Sequence, residues 1–185
     1  MRRFLYLGAV LGAGAACAPP AQRDGEPLAA AVVQSDRGGP AAPAAATAAC
    51  EITRIVDGDT IECLPGVRVR LIGMDTPEMN QAPFGRLARD TLAALIPVGT
   101  AVRLESDVEQ RDRYDRVLAY VWTGDLLVNW WLVRDGWAVL ATYPPNVRYV
   151  DWYVAAQDTA RAERRGLWAS GGFDCLPSEH RRGRC

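Results

Sequence analysis

The chain contains no lysine and a single histidine, His180, so all 21 of its arginine or lysine positions are arginine. One histidine near the end of the chain argues against histidine-based zinc sites, haem ligation and Ser-His-Asp catalysis. No two cysteines have the Cys-x-x-Cys spacing of metal or redox sites. No stretch of about 18 apolar residues is free of charge, so a membrane span in mid-chain is not predicted. The remaining chemistry is that of carboxylates and guanidiniums, and arginine offers a planar fork that suits phosphate.

The length, composition and net charge of the chain limit the number of domains and the kinds of ligand that we expect. The chain has 185 residues, of which 49% are apolar and 23% charged. These values are typical of one soluble globular domain with a substantial core. The formal net charge of −1 gives no strong overall field, so a polyanion would have to be attracted by a local patch.

The N-terminal part has the pattern of an export signal followed by a tether. Residues 1–17 have two positive charges near their start, at Arg2 and Arg3. A short apolar stretch and then small residues follow. Residues 18–49 are rich in Ala, Pro and Gly and have no apolar period, which predicts a disordered, flexible segment. We therefore expect an exported protein that is periplasmic, tethered to the outer membrane or secreted.

The residues before Cys17 resemble a bacterial lipoprotein processing site. They read Gly-Ala-Ala-Cys at positions 14–17, and an acylated Cys17 would be the lipid anchor. Gly14 departs from the usual pattern, where a larger aliphatic residue stands. Plain cleavage after a small residue is the alternative interpretation.

The cysteine count is odd, with five in the chain. If Cys17 carries lipid, Cys50, Cys63, Cys175 and Cys185 remain, and an oxidising compartment allows them to form two disulfides. Pairing Cys50 with Cys63 across a predicted hairpin, and Cys175 with Cys185, is the favoured arrangement. A Cys50–Cys175 bond that joins the two ends of the domain is the rival.

The folded domain is predicted at residues 50–168, with a polar loop as a tail at residues 169–185. The strands are expected at residues 51–56, 60–63, 67–71, 101–108 and 117–123, and helices at residues 84–96, 129–135 and 149–165. Residues 75–83 are expected to be a loop. Five short strands with a helix after the third predict an α+β protein whose core is a five-stranded Greek-key barrel, the OB fold.

Carboxylates and arginines cluster in three segments of this predicted barrel. Asp57 and Asp59 flank a hairpin turn, and Asp75 ends a neighbouring strand. Each segment alone is as well explained by a turn or a surface ion pair. If they converge, the carboxylates repel one another unless a cation lies between them. Oxygen ligands without histidine or thiolate favour Ca²⁺ or Mg²⁺ over zinc.

A phosphodiester in such a pocket would explain the other charges. The transition state of hydrolysis places extra negative charge on the phosphoryl oxygens, which Arg70 and Arg116 could stabilise by charge-assisted bonds. Glu78 could orient or deprotonate the attacking water. A surface salt-bridge network is the alternative, but exposed pairs contribute only about 0–1 kcal/mol each.

These segments resemble the staphylococcal nuclease (thermonuclease) family over about residues 51–168. The motifs are Asp-Gly-Asp-Thr from Asp57, Arg-x5-Thr-Pro-Glu from Arg70 and Tyr-x-Arg from Tyr114. The family fold is the OB-fold barrel with helices. The resemblance implies a calcium-dependent nuclease that cleaves DNA and RNA, single-stranded or frayed, and leaves 3′-phosphate ends.

The resemblance also implies roles for particular residues. One Ca²⁺ ion, or another divalent cation, would be held by Asp59 and Asp75 and by the backbone carbonyl of Thr76, with Asp57 in the outer shell. The implied catalytic residues are Arg70, Glu78 and Arg116, and the implied substrate-binding residues are Arg113, Tyr114 and Tyr143. We expect a monomer that contacts a membrane only through Cys17.

One departure bears on the site. Asp115 stands where the family usually has glycine between the tyrosine and the arginine. If that position needs a positive φ, aspartate tolerates it better than most residues, but its charge would weaken phosphate attraction beside Arg116. The alternative function is a non-catalytic OB-fold envelope lipoprotein that binds nucleic acid or protein.

Overall fold

The computed structural model describes residues 38–43, 48–63 and 66–185. The predicted export signal, including Cys17, and most of the predicted tether lie outside these residues and stay predictions. Within the predicted tether, Ala42 packs against the core, and Gly39 lies against the ring of Trp130. In the described part of the chain, no helix is long and apolar enough to cross a membrane.

Short strands and helices follow one another along the described chain. The strands are β1 (Ala48–Ile55), β2 (Thr60–Cys63), β3 (Val67–Leu71), β4 (Gly73–Asp75), β5 (Ala101–Glu105), β6 (Val117–Thr123), β7 (Leu126–Leu127) and β8 (Val139–Ala141). The helices are α1 (Phe84–Leu95), α2 (Val128–Arg134), α3 (Val150–Ala162), α4 (Leu167–Ser170) and α5 (Pro177–His180).

Five of the strands form a closed barrel. Strands β3, β2, β1, β5 and β6 are hydrogen-bonded in that order, and a parallel pairing of β3 with β6 completes the ring. In that pairing Arg70 lies opposite Leu118, so the end of β3 is next to the start of β6. The predicted α+β barrel of the OB type is thereby confirmed.

Alternation along the strands fills the barrel. In β3, Val69 and Leu71 are fully buried, whereas Arg68 and Arg70, which alternate with them, are not, as expected for side chains on opposite faces of a strand. Strand β6 is buried over five consecutive residues because helix α2 covers its other side. The apolar side chains of these strands therefore fill the barrel interior, whereas Arg70 lies on the other face of β3.

Asn129 is a buried polar residue that joins three elements. Its Oδ1 accepts a hydrogen bond from the backbone N–H of Val121 at 2.8 Å. Its Nδ2 donates to the carbonyls of Ile72 and Ala119 at 2.9 and 3.1 Å. The side chain is fully buried, so these bonds tie α2 to β6 and to the residue before β4.

The structure differs from the sequence-based predictions in several places. Strands β4, β7 and β8 were not predicted, because two or three residues are too few to show a period. The strand expected at residues 101–108 ends at Glu105, whose carboxylate is taken into the interior by a 2.7 Å hydrogen bond from Trp122 Nε1. The tail predicted as a loop contains helix α5.

Two disulfides are present, Cys50–Cys63 and Cys175–Cys185. This is the favoured pairing, and the rival Cys50–Cys175 bond is not formed. The first bond joins β1 to β2, where Ile52 pairs with Cys63, and is buried. The second closes a loop in the C-terminal tail.

We predict that Asn129→Ala lowers the free energy of unfolding by about 3 kcal/mol, because one buried N–H and two buried carbonyls lose their partner. Urea denaturation measures the change. The exposed Gln110→Ala is the control and should change stability by less than about 0.5 kcal/mol. Equal stability of the two variants would contradict the bridging role of Asn129.

Candidate functional site

A cavity of about 650 Å³ opens at the polar rim of the barrel. It brings together every residue for which the sequence predicted a catalytic, metal-binding or substrate-binding role. Its lining includes Asp57, Asp59, Arg70, Asp75, Thr76, Glu78, Arg113, Tyr114, Arg116 and Tyr143. Residues more than 80 positions apart in the sequence therefore share one site.

Asp59 is held against the loop after β4. Its Oδ2 accepts hydrogen bonds from the backbone N–H and the hydroxyl of Thr76, at 3.1 and 3.0 Å. The turn can approach so closely because Gly58 has no side chain: a Cβ there would lie 2.7 Å from Thr76 Oγ1. Asp57 Oδ1 accepts the backbone N–H of Asp59 at 3.0 Å, which fixes the turn itself.

Arg70 lies between two of these aspartates. Its guanidinium forms ion pairs with Asp59 and, at 3.2 Å, with Asp75 Oδ1. It also donates to the carbonyls of Asp59 and Met74 at 3.3 and 3.2 Å. Asp59 and Asp75 are both buried, so the charge of Arg70 offsets two carboxylates that have little water to solvate them.

Burial and mutual repulsion alter the acidity of this group. Burial, followed by the charge of Asp59, raises the pKa of Asp57 to about 6. Burial also raises the pKa of Asp75, although neighbouring arginines act in the opposite direction. Burial lowers the pKa of Arg70, but the charges of the surrounding aspartates outweigh it and the net change is upward.

Glu78 is placed on the rim by its backbone. Its N–H donates to Gln81 Oε1 at 2.8 Å, and its carbonyl accepts the N–H of Gln81 at 2.8 Å. Helix α1 begins next to it because Gly85 permits close contact: a Cβ there would clash with the carbonyl of Glu78. The side chain is partly exposed toward the cavity, where a water molecule has access to it.

Arg116 is oriented by Asp112. Its Nε donates to Asp112 Oδ2 at 2.7 Å, and Oδ1 accepts the backbone N–H groups of Tyr114 and Arg116 at 2.9 and 3.0 Å. Burial raises the pKa of Asp112, but the hydrogen bonds from Arg116 and Tyr114 together outweigh it and the net change is downward. The sequence had not singled out Asp112, because nothing in its spacing distinguishes it from other acids in this charged stretch.

Asp115 adopts the backbone conformation that its family counterpart would need. Its φ is +61°, in the left-handed region, which aspartate tolerates better than most residues. Its carboxylate is highly exposed and pairs with Arg111 at 2.9 Å. Asp115 is not among the residues that line the cavity, so its charge is directed to Arg111 rather than to the site.

The wall of the cavity also carries an exposed basic and aromatic surface. The guanidinium of Arg113 lies 4.8 Å from the centre of the Tyr114 ring, and that of Arg116 lies 5.6 Å from it. Both Tyr114 and Tyr143 are well exposed. These rings are available for stacking, and the arginines are available for phosphate.

The structure adds one cavity residue that the sequence did not indicate. Arg181, in the predicted tail, donates to Asp75 Oδ2 at 2.6 Å and to Glu78 Oε1 at 2.5 Å. The hydrogen bond to Asp75 is the largest influence on Arg181 and raises its pKa. Three arginines stand within four positions at the chain end, and no local pattern separates this one from the others.

The donor set is compatible with a hard divalent cation. The cavity is lined by six carboxylates and four guanidiniums, an excess of two negative charges. All available ligands are oxygen atoms, which suit Ca²⁺ or Mg²⁺. Among residues 38–43, 48–63 and 66–185, no group of three or more His, Cys, Asp or Glu side chains is arranged around a metal position. The ligands implied by the resemblance are the carboxylates of Asp59 and Asp75 and the carbonyl of Thr76, and in this structure both carboxylates are paired with Arg70.

We predict that Thr76→Val lowers the free energy of unfolding by about 2 kcal/mol, because the buried carboxylate of Asp59 loses a hydroxyl donor. Thr76→Ser keeps the hydroxyl and should retain most of that stability. Urea denaturation of both variants measures the difference. If serine lowers the stability and valine does not, the methyl contact rather than the hydrogen bond holds the loop.

The amino-acid sequence of this chain is similar to those of known nucleases. Residues 68–170 match the family model described as staphylococcal nuclease homologue. The chain is 38% identical over 125 residues to the thermonuclease of Staphylococcus intermedius, which covers 63% of this chain and 74% of the relative. It is 31% identical over 132 residues to endonuclease YncB of Bacillus subtilis, covering 66% and 62%.

A third similarity extends over more of the chain. A Haemophilus influenzae protein with the name uncharacterized endonuclease is 35% identical over 137 residues, which are 72% of each chain. The family model alone spans more than half of the chain. The barrel, the convergent charges and these similarities lead to one conclusion: the chain belongs to the staphylococcal nuclease family.

Proposed function

We propose that this protein is an endonuclease that hydrolyses the phosphodiester bonds of DNA and RNA with the help of a divalent cation. The observation that carries the proposal is the convergence of Arg70, Glu78 and Arg116 with two buried aspartates in one cavity. The relatives named thermonuclease and endonuclease support the same activity. Calcium as the cation and 3′-phosphate products are the finer parts of the proposal.

The two arginines would bind the phosphate on which hydrolysis takes place. Arg70 is anchored by Asp59 and Asp75, and Arg116 by Asp112, so neither guanidinium needs to be ordered when substrate arrives. Fixed donors of this kind favour the charge that develops on the phosphoryl oxygens. Arginine remains protonated at any working pH and therefore serves as a donor and not as a base.

Glu78 would take the proton from the attacking water. Its side chain lines the cavity and is partly exposed, although Arg181 pairs with it, whereas Asp59 and Asp75 are buried. General bases in this position contribute about 10²–10⁴ in rate. A bound divalent cation, held by Asp59, Asp75 and Thr76, would polarise a phosphoryl oxygen and add positive charge.

The exposed wall of the cavity suits a single strand or a frayed end. Tyr114 and Tyr143 offer ring faces for bases, and Arg113 offers a guanidinium beside Tyr114. Stacking on a ring needs an unpaired base. Export, the anchor at Cys17 and the monomeric state stay predictions of the sequence.

The first test is cation dependence on heat-denatured DNA and on RNA. We expect cleavage with Ca²⁺, complete loss with EDTA and recovery when Ca²⁺ is added in excess, because the acidic cluster requires a cation to bind another anion beside it. End-group analysis of the products should find 3′-phosphates. Binding of the strand without cleavage at any Ca²⁺ concentration would favour the non-catalytic alternative.

The second test removes the proposed catalytic side chains one at a time. We expect Arg70→Ala, Glu78→Ala and Arg116→Ala each to lower kcat about 10²–10³-fold, because each removes a group that acts on the transition state. Initial rates on denatured DNA measure the change, with unfolding midpoints recorded alongside.

The controls remove the same side-chain types away from the cavity. Arg103, on β5, donates to the carbonyl of Gly124, and Glu163 pairs with Arg165. Arg103→Ala and Glu163→Ala should therefore leave kcat unchanged. Full activity in all three cavity variants would refute the assignment of the site.

A further inference from the structure

The loop from Cys175 to Cys185, which we call the C-terminal arm, is fastened to the site at several points. The Cys175–Cys185 disulfide closes it. Gln81 Nε2 donates to the carbonyl of Cys175 at 3.1 Å, and His180 Nε2 lies 2.9 Å from Asn80 Oδ1. Since Gln81 also accepts the backbone N–H of Glu78, the arm and the segment that carries Glu78 are held by the same side chain.

The arm has three arginines, and they have different partners. Arg182 and Arg184 both pair with Glu179 inside the arm and do not line the cavity. Arg181 instead extends into the cavity, where its two terminal nitrogens contact Asp75 at 3.1 and 2.6 Å and Glu78 at 2.5 Å. A single planar guanidinium thus spans two carboxylates from different positions of the rim.

The contact of Arg181 with Asp75 and Glu78 offsets the repulsion between these two carboxylates. Asp75 and Glu78 are like charges on one short segment, and like charges in a cavity move apart unless something joins them. Arg70 pairs with Asp75 but not with Glu78. Among the residues that the structure describes, Arg181 is the arginine that contacts both carboxylates. Its planar fork fixes their relative orientation in a way that a point charge would not.

From this geometry we propose that Arg181 is a positioning residue of the nuclease site, and that the C-terminal arm is the part of the fold that delivers it. The proposal rests on the proposed function, because Glu78 and Asp75 are its catalytic base and cation ligand. Arg181 acts through these carboxylates: it holds Glu78 at a constant place relative to Asp75. Its side chain keeps 41% of its surface exposed, so the cavity stays open while it does so.

The test compares Arg181→Ala with the full protein under steady-state conditions on denatured DNA. We expect kcat to fall about 10- to 100-fold, because small displacements of a reacting group have effects of this size. KM should not change, since the residues proposed to contact the phosphate and the nucleobases of the substrate are untouched. Arg181→Lys should recover part of the rate by restoring the charge without the fork.

Calcium binding gives a readout that does not depend on turnover. Calorimetric titration of the chelator-treated protein should find equal or tighter Ca²⁺ binding in Arg181→Ala, because a positive charge next to Asp75 has been removed. Slower turnover with undiminished cation binding separates positioning from collapse of the site. Slower turnover with weaker binding and a lower Tm would overturn the proposal and make Arg181 a structural residue.

Arg182→Ala is the matched control, since it removes an arginine from the same arm without reaching the cavity. It should retain the kcat of the unmodified protein. The double variant Cys175→Ser/Cys185→Ser leaves Arg181 in place but opens the arm, and we expect a kcat between those of Arg181→Ala and the unmodified protein.

The remaining outcomes separate this proposal from the function on which it rests. An active unmodified protein with an equally active Arg181→Ala overturns the positioning role and leaves the nuclease assignment intact. A faster Arg181→Ala overturns it as well, since the arm would then obstruct the site. An unmodified protein that does not cleave nucleic acid at all removes the proposed function and this role with it.

Discussion

The ion pairs of Arg70 with Asp59 and Asp75 are the interaction on which the rest of the site depends. The side chains of both aspartates are buried at the barrel rim. If nothing opposed their repulsion, it would push the turn before β2 away from the end of β4. A guanidinium between them offsets that repulsion, and the remaining charge excess is suited to a divalent cation. Loss of one partner from a buried group of this kind is costly, because the other charges lose their compensation.

The barrel makes this arrangement possible by pairing strands that are distant in sequence. The parallel pairing of β3 with β6 places Arg70 next to the segment that begins β6, immediately after Arg116. Close contact of the turn at Gly58 with Thr76 then sets the depth at which Asp59 lies. The positions of the charges are thus a consequence of backbone geometry, and the side chains need little freedom to reach them.

The same cavity is completed from the end of the chain. Gln81 connects Glu78 to the C-terminal arm, and Arg181 connects Glu78 to Asp75. The disulfide at Cys175 and Cys185 restricts the arm by covalent closure. Each of the two main carboxylates of the site, Asp75 and Glu78, is consequently held by groups from separate parts of the sequence.

The sequence determined the parts that depend on local pattern. Alternation in β3 and the charged motifs around Asp59 and Glu78 are short-range features, and together with the family resemblance they predicted the barrel and ten cavity residues. The motif raised a positive φ at Asp115 only as a condition, and the structure meets that condition. The two disulfides follow the favoured pairing, although the sequence alone kept a Cys50–Cys175 bond open.

Only the tertiary structure decided the contacts made across long separations. Short pairs such as β4 with β8 have no period to detect, and Asp112 has no spacing that separates it from its charged neighbours. Arg181 is 106 positions from Asp75, and its neighbours Arg182 and Arg184 have the same composition and a similar context. Which of three arginines enters the cavity depends on the path of the backbone after α5 and on the disulfide that closes it, because a side chain binds where the fold places it.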